Sequence, residues 1–81
     1  MTDLKQVLND IAAVLVDRPE EIVIEEETLG DEVTLYLSVA SGDMGKVIGK
    51  NGRIAKAIRT VMKAAASTSG RRVNVENVDK E

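Results

Sequence analysis

The chain has no cysteine and no histidine. Disulfides, thiolate nucleophiles and imidazole bases are therefore excluded, together with the usual zinc ligand sets. That composition fits a reducing compartment. Aromatic residues are nearly absent as well: Tyr36 is the only one. The core must therefore come from Val, Ile, Leu, Ala and Met. No apolar run approaches the roughly 18 residues that span a membrane. Met1-Thr2-Asp3 lacks the basic and apolar regions of a signal peptide. The expected location is the cytoplasm, without a membrane partner.

What is present suits one small ordered domain, residues 1–81. Hydrophobic residues make up 43% and charged residues 31%, a balance that folds rather than stays disordered. A chain of this size buries roughly 60% of its unfolded surface, which gives modest stability unless copies associate. The net charge of -3 hides an asymmetry. Residues 1–43 are net -9, whereas residues 44–72 carry eight basic groups and no acid. A basic block of that kind inside an acidic chain points to a polyanionic partner. The competing reading is that the two halves attract each other within the fold.

Periodicity predicts a helix over residues 3–16, with Leu4, Val7, Leu8, Ile11, Val14 and Leu15 on one face. Thr2 is its expected N-cap, with Asp3 in the first turn, and Asp17-Arg18-Pro19 ends it. Residues 21–28 read as a strand that frays at Glu25-Glu26-Glu27. Leu29 to Glu32 form a turn. Residues 33–39 alternate as a half-buried strand with Tyr36 outward, completing a hairpin. A short helix is expected over 44–48, and a longer one over 53–67. On the longer helix Ile54, Ala57, Ile58, Val61 and Ala65 share a face, and Lys56, Arg59 and Lys63 lie almost opposite. Ser69-Gly70 stops that helix. Residues 72–78 form the last strand, with Val73 and Val75 buried, and Asp79-Lys80-Glu81 is a loose tail.

The predicted fold class is α+β, in the order α-β-β-α-α-β. Three helices cover one face of a three-stranded sheet in two layers.

The densest chemistry lies in Gly49-Lys50-Asn51-Gly52. Asn-Gly alone suggests a hairpin turn, but the helical pattern downstream argues against it. A Walker A loop fails on the Gly45–Gly49 spacing and on Asn51 in place of Ser or Thr. A dinucleotide fingerprint fails at Val47. Two glycines that lack a Cβ allow close backbone approach, and a helix start beside them favours anions.

Gly45-Lys46-Val47-Ile48-Gly49-Lys50-Asn51-Gly52-Arg53 resembles the signature of KH domains, whose G-x-x-G loop clamps about four nucleotides of single-stranded RNA or DNA. The element order resembles the type II arrangement from Leu4 to Val78. Size, order and residues 55–61 are similar to the KhpA family of small stand-alone bacterial KH proteins. That resemblance implies a non-catalytic binder of single-stranded RNA, or of single-stranded DNA, that acts as an RNA chaperone and post-transcriptional regulator linked to cell elongation and cell-wall homeostasis. It also implies a homodimer, and a heterodimer with a larger KhpB-like KH protein. No cofactor, metal or small-molecule substrate is implied.

The candidate RNA-binding residues are Lys46, Val47, Ile48, Gly49, Lys50, Asn51, Gly52, Arg53, Ile54 and Lys56. Loop amides, Lys50, Asn51 and Arg53 are expected to meet phosphate. Val47, Ile48 and Ile54 would line an apolar strip for bases, with one of Val47 and Ile48 going to the core instead, and with core also the competing place for Ile54. Arg59 and Lys63 read as a solvated face. Arg71 and Arg72 either extend the basic surface or flank the last strand. Without aromatic platforms, recognition rests on backbone contacts and affinity is modest. Two rivals remain: a protein-interaction module whose basic face meets an acidic partner, and an enzyme. No catalytic residue is assigned, because the carboxylates show no paired acid/base spacing near the loop.

Overall fold

The computed structural model describes residues 3–78. Helix α1 spans Leu4–Leu15, strands β1 and β2 span Val23–Leu29 and Glu32–Ser38, helices α2 and α3 span Met44–Ile48 and Arg53–Ser67, and strand β3 spans Arg72–Asn77. This is the α-β-β-α-α-β order read from the sequence. The sheet order is β1-β2-β3, with β1 antiparallel and β3 parallel to β2. Parallel pairing requires a long crossover, and α2 and α3 supply it.

Asp3 caps α1. Its carboxylate accepts the Gln6 N–H at 3.2 Å, so it stands one position before the first turn expected for it. The cap expected of Thr2 and the tail at residues 79–81 lie outside the described residues. Val16 leaves α1 in an extended conformation. Pro19 then opens a single 3-10 turn, Pro19–Glu21, and β1 accordingly starts at Val23 rather than at residue 21. The glutamates do not fray. Glu25, Glu26 and Glu27 pair in register with Tyr36, Leu35 and Thr34, and the ladder closes at Leu29↔Glu32. A strand held along its whole length by a partner tolerates acids where its side chains reach water. On the outer face the Tyr36 hydroxyl donates to Glu27 Oε1 at 2.9 Å. That bond and the glutamate charge hold the phenol above its ordinary pKa.

The core lies between the helices and the inner sheet face. Leu8, Leu35, Leu37, Met62, Val33, Val39 and Val47 are fully enclosed. In α3 the buried stripe is Ala55, Ile58, Met62 and Ala66, rotated from the expected Ile54–Ala57–Val61 face. Val61 is half exposed and Ala57 exposed. The expected stripe counted apolar residues; the sheet instead selected the i, i+4 row that includes the bulky Met62. Val14, expected on the apolar face of α1, is 83% exposed, because the buried row there is Leu4, Leu8 and Ala12. Helix α3 ends at the expected place: the Gly70 N–H donates to Ser67 O at 3.1 Å, and the Arg71 N–H to Ala66 O at 3.1 Å.

Candidate nucleic-acid interface

Helix α2 ends at Gly49, whose N–H donates to Gly45 O at 2.8 Å. Lys50–Gly52 then forms one 3-10 turn, closed by the Gly52 N–H on Gly49 O at 3.1 Å. Gly49, Asn51 and Gly52 all have positive φ, at 78°, 58° and 74°. Asn is the non-glycine residue most at ease in the left-handed region, which explains its place between the two glycines.

The glycines have different jobs. A Cβ on Gly49 would stand 2.6 Å from Ile54 Cγ1 and 2.9 Å from the Ile54 backbone nitrogen. The missing side chain there lets α2 stop directly against the start of α3. Packing against Ile54 is thus one reason for glycine at this position. At Gly52 a Cβ would meet nothing within 4 Å, so the space above that residue is open.

Lys50, Asn51, Arg53 and Lys56 are exposed around this turn. Among the described residues no side chain caps α3, and no acid occupies its first turn. Cations at a helix N-terminus are unfavourable by about 0.3–1 kcal/mol each, yet α3 starts with Arg53 and carries Lys56 one turn on. Among the described residues, Lys50, Arg53 and Lys56 have no ion-pair partner. The rival idea, that the basic block neutralises the acidic half by contact, therefore fails at this loop. The uncapped helix start and the three cations make this turn a place of positive potential, where an anion would be favoured.

Other candidates fall elsewhere. Val47 is fully buried in the core, so it does not line a binding strip. It faces inward because a five-residue helix needs an apolar anchor. Ile48 and Ile54 are half-buried against the core. Lys46 also departs from the loop cations. Its ammonium donates to Asp17 Oδ2 at 2.8 Å and to Asp43 Oδ1 at 3.1 Å, and both carboxylates raise its pKa. Asp43 is 3% exposed. Burial pushes its pKa up, but the Lys46 ammonium and the Arg18 and Asp17 N–H groups outweigh this and hold it below the ordinary carboxylate value. The sequence reading missed both aspartates. The available signal was the i, i+3 spacing of Asp43 and Lys46 just before the loop.

Arg59, expected to be solvated, donates through Nε to Val75 O at 3.4 Å, linking the basic flank of α3 to β3. Lys63 and Arg72 are exposed, and Arg71 is half-buried at the start of β3. The other flank of α3 is apolar. Ile11 and Leu15 of α1 join Arg53, Ile54, Ala57 and Val61 around an open groove of about 360 Å³.

The family model of the KhpA/KhpB KH domain matches residues 5–76. The protein named RNA-binding protein KhpA of Clostridium acetobutylicum is 58% identical over 73 residues, covering 90% of this chain and 97% of that one. Its namesake in Clostridium perfringens is 54% identical over 74 residues, with the same coverage. The namesake in Oceanobacillus iheyensis is 48% identical over 73 residues, again covering 90% and 97%. Among solved structures, Era in complex with MgGDPNP and a 16S ribosomal RNA segment superposes with a TM-score of 0.71 at 20% identity. Aquifex aeolicus Era bound to GDP and aluminium fluoride gives 0.69, also at 20% identity. Each covers 95% of this chain, which spans only 30% of the Era chain. At that identity the likeness to Era concerns the fold alone.

Proposed function

The chain belongs to the KhpA/KhpB KH-domain family, and from that premise we propose that it is a non-catalytic single-stranded RNA-binding protein. The Gly49–Gly52 loop clamps the RNA backbone. The observation that carries this reading is the set of unpartnered cations, Lys50, Arg53 and Lys56, around the uncapped start of α3. A phosphate above Gly52 meets open backbone, the positive end of a 15-residue helix and side-chain charges from two directions. Asn51 adds amide donors. Ile48 and Ile54 supply apolar contact for bases, and no ring lies in the loop for stacking. Sequence preference is therefore weak and affinity modest.

The finer roles proposed here are supported by the family resemblance alone. The protein acts as an RNA chaperone and post-transcriptional regulator in the cytoplasm, in control of cell elongation and cell-wall homeostasis. It pairs with a second copy and with a larger KhpB-like KH protein. The apolar α1–α3 groove with half-exposed Val61 is a surface suited to such pairing, and two linked sites raise the effective affinity of a weak single clamp.

The test is a titration of labelled single-stranded RNA with the wild type and with the double variant Lys50→Asp, Asn51→Asp at several salt concentrations. Two to four phosphate contacts give a log–log salt slope of roughly -1.5 to -3 for the wild type. The variant keeps both glycines and is expected to lose binding with its circular dichroism unchanged. Equal binding by both proteins would make the loop structural. Absence of binding by the wild type, with capture of an acidic protein partner instead, would favour the protein-interaction reading.

A further inference from the structure

Helix α2 has five residues, far below the length at which a helix holds itself. Something must fix it, because its last residue leads directly into the glycine loop. One anchor is apolar: Val47, fully buried. The second is ionic.

Asp43 immediately precedes α2, where an aspartate ordinarily caps its own helix. Here it makes no such bond, and its backbone is helical at φ -103°, ψ -6°. Its carboxylate turns away instead. Oδ2 accepts the Arg18 N–H at 3.1 Å, and Oδ1 accepts the Lys46 ammonium at 3.1 Å. Lys46 also reaches Asp17 at 2.8 Å. The connector after α1 and the first turn of α2, some 25 residues apart in sequence, are thus tied through one nearly buried carboxylate. Arg18 and Glu21 flank the cluster, paired with each other at 3.3 Å.

We propose that Asp17, Asp43 and Lys46 form a positioning strut that sets where α2 and the glycine loop sit on the fold, and that Lys46 acts on RNA only through it. This rests on the RNA-binding reading for its functional consequence and on geometry alone for its structural one. The two are separable. An ammonium held by two carboxylates has little charge left for phosphate. A short helix held only by Val47 and the half-buried Met44 and Ile48 would let the loop wander from the position that α3 and its cations require, and misplacement lowers affinity without changing the number of phosphates touched.

The experiment compares the full chain as wild type, Lys46→Met, Lys46→Arg, Asp43→Asn and the Asp43→Asn, Lys46→Met double variant. Binding of a labelled single-stranded RNA is read across salt concentrations. Lys46→Met and Asp43→Asn are each expected to weaken binding about 3- to 10-fold, the range over which residues remote from a ligand modulate its affinity, with the salt slope unchanged. The double variant is expected to be no weaker than the worse single one, because both changes break the same link. Lys46→Arg is expected to bind like the wild type. Asp43→Asn is the sharpest arm: it makes the protein more positive, so simple attraction would tighten binding. A slope that falls in magnitude by about 0.7 in Lys46→Met, with Asp43→Asn neutral or tighter, would make Lys46 a direct phosphate contact and overturn the proposal.

A second readout needs no RNA. Amide hydrogen exchange at Gly49 and Gly52 is expected to quicken in Lys46→Met while Leu35 and Leu37 in β2 stay protected. Unchanged exchange at the loop would overturn the strut. If the wild type binds no RNA, the functional reading falls, and the exchange result alone judges the strut. Lys46 is half-exposed, so the Lys46→Met variant folds even if Asp43→Asn does not.

Discussion

Replacing Gly49 by alanine tests the division of labour between the two loop glycines. Gly49 sits at φ 78°, ψ 173°, a region occupied essentially by glycine alone and costing other residues about 1–3 kcal/mol. The new Cβ would also stand 2.6 Å from Ile54 Cγ1 and 2.9 Å from the Ile54 backbone nitrogen. Rotating the side chain relieves the first contact, but only moving the backbone relieves the second. Overpacking of that kind adds about 1–3 kcal/mol. The total is about 2–6 kcal/mol, set against about 4–12 kcal/mol for a domain of this size. Gly52→Ala meets no clash and bears only the left-handed cost of about 1–2 kcal/mol. Gly52→Asn bears less, as neighbouring Asn51 shows by adopting φ 58° unaided. Urea and thermal unfolding followed by circular dichroism measure all three. At about 4–8 °C per kcal/mol, Gly49→Ala is expected to lose at least about 8 °C in Tm, and Gly52→Asn the least of the three. If Gly52→Ala proves as damaging as Gly49→Ala, the contact with Ile54 is not what fixes Gly49, and the reasoning is refuted.

The rotation of α3 makes a second prediction. Met62→Ala empties a fully buried site and is expected to cost about 2–5 kcal/mol. Val61→Ala, on a half-exposed side chain, is expected to stay within about 0.5 kcal/mol when unfolding is measured at low protein concentration; the reverse order would restore the expected face. A third prediction concerns pH. Asp43 is held below its ordinary pKa, so its contribution to stability is fully present above about pH 4, near the unfolded value, and is lost as pH falls through the lower folded value. The Tm difference between the wild type and Asp43→Asn is therefore expected to shrink as pH is lowered from about 5 toward 2.5; a constant difference would contradict the assignment. Lys46, with its pKa raised, contributes below about pH 10.4 and loses that contribution as pH rises through its folded value.

Strong local signals were legible in the sequence. Alternation in β2, the helix ending at Ser69-Gly70 and the glycine loop between two helical patterns each depend on neighbours a few residues away, and each stands where it was expected. The errors came where tertiary contact decides. The parallel β2–β3 pairing held the register of the sheet, and the ladder to β2 kept Glu25–Glu27 in a regular strand that composition alone argued against. The face α3 buries was chosen by the sheet, so counting apolar residues gave a stripe rotated toward α1. In the site, Lys50, Asn51 and Arg53 were readable because exposure next to a glycine turn is a local property. The fate of Lys46 was not, since one of its two partners, Asp17, lies 29 residues away. The sequence divides Val47 and Ile48 between core and surface, but only the packed structure shows that Val47 goes inward.

The most direct measurement is an amide chemical-shift map of the chain titrated with a short single-stranded RNA. Shifts are expected to concentrate at Gly49, Lys50, Asn51, Gly52, Arg53 and Lys56 and to fade at high salt, with the outer sheet face around Tyr36 unmoved. Shifts centred on the sheet or on the α1–α3 groove, with the glycine loop silent, would contradict it.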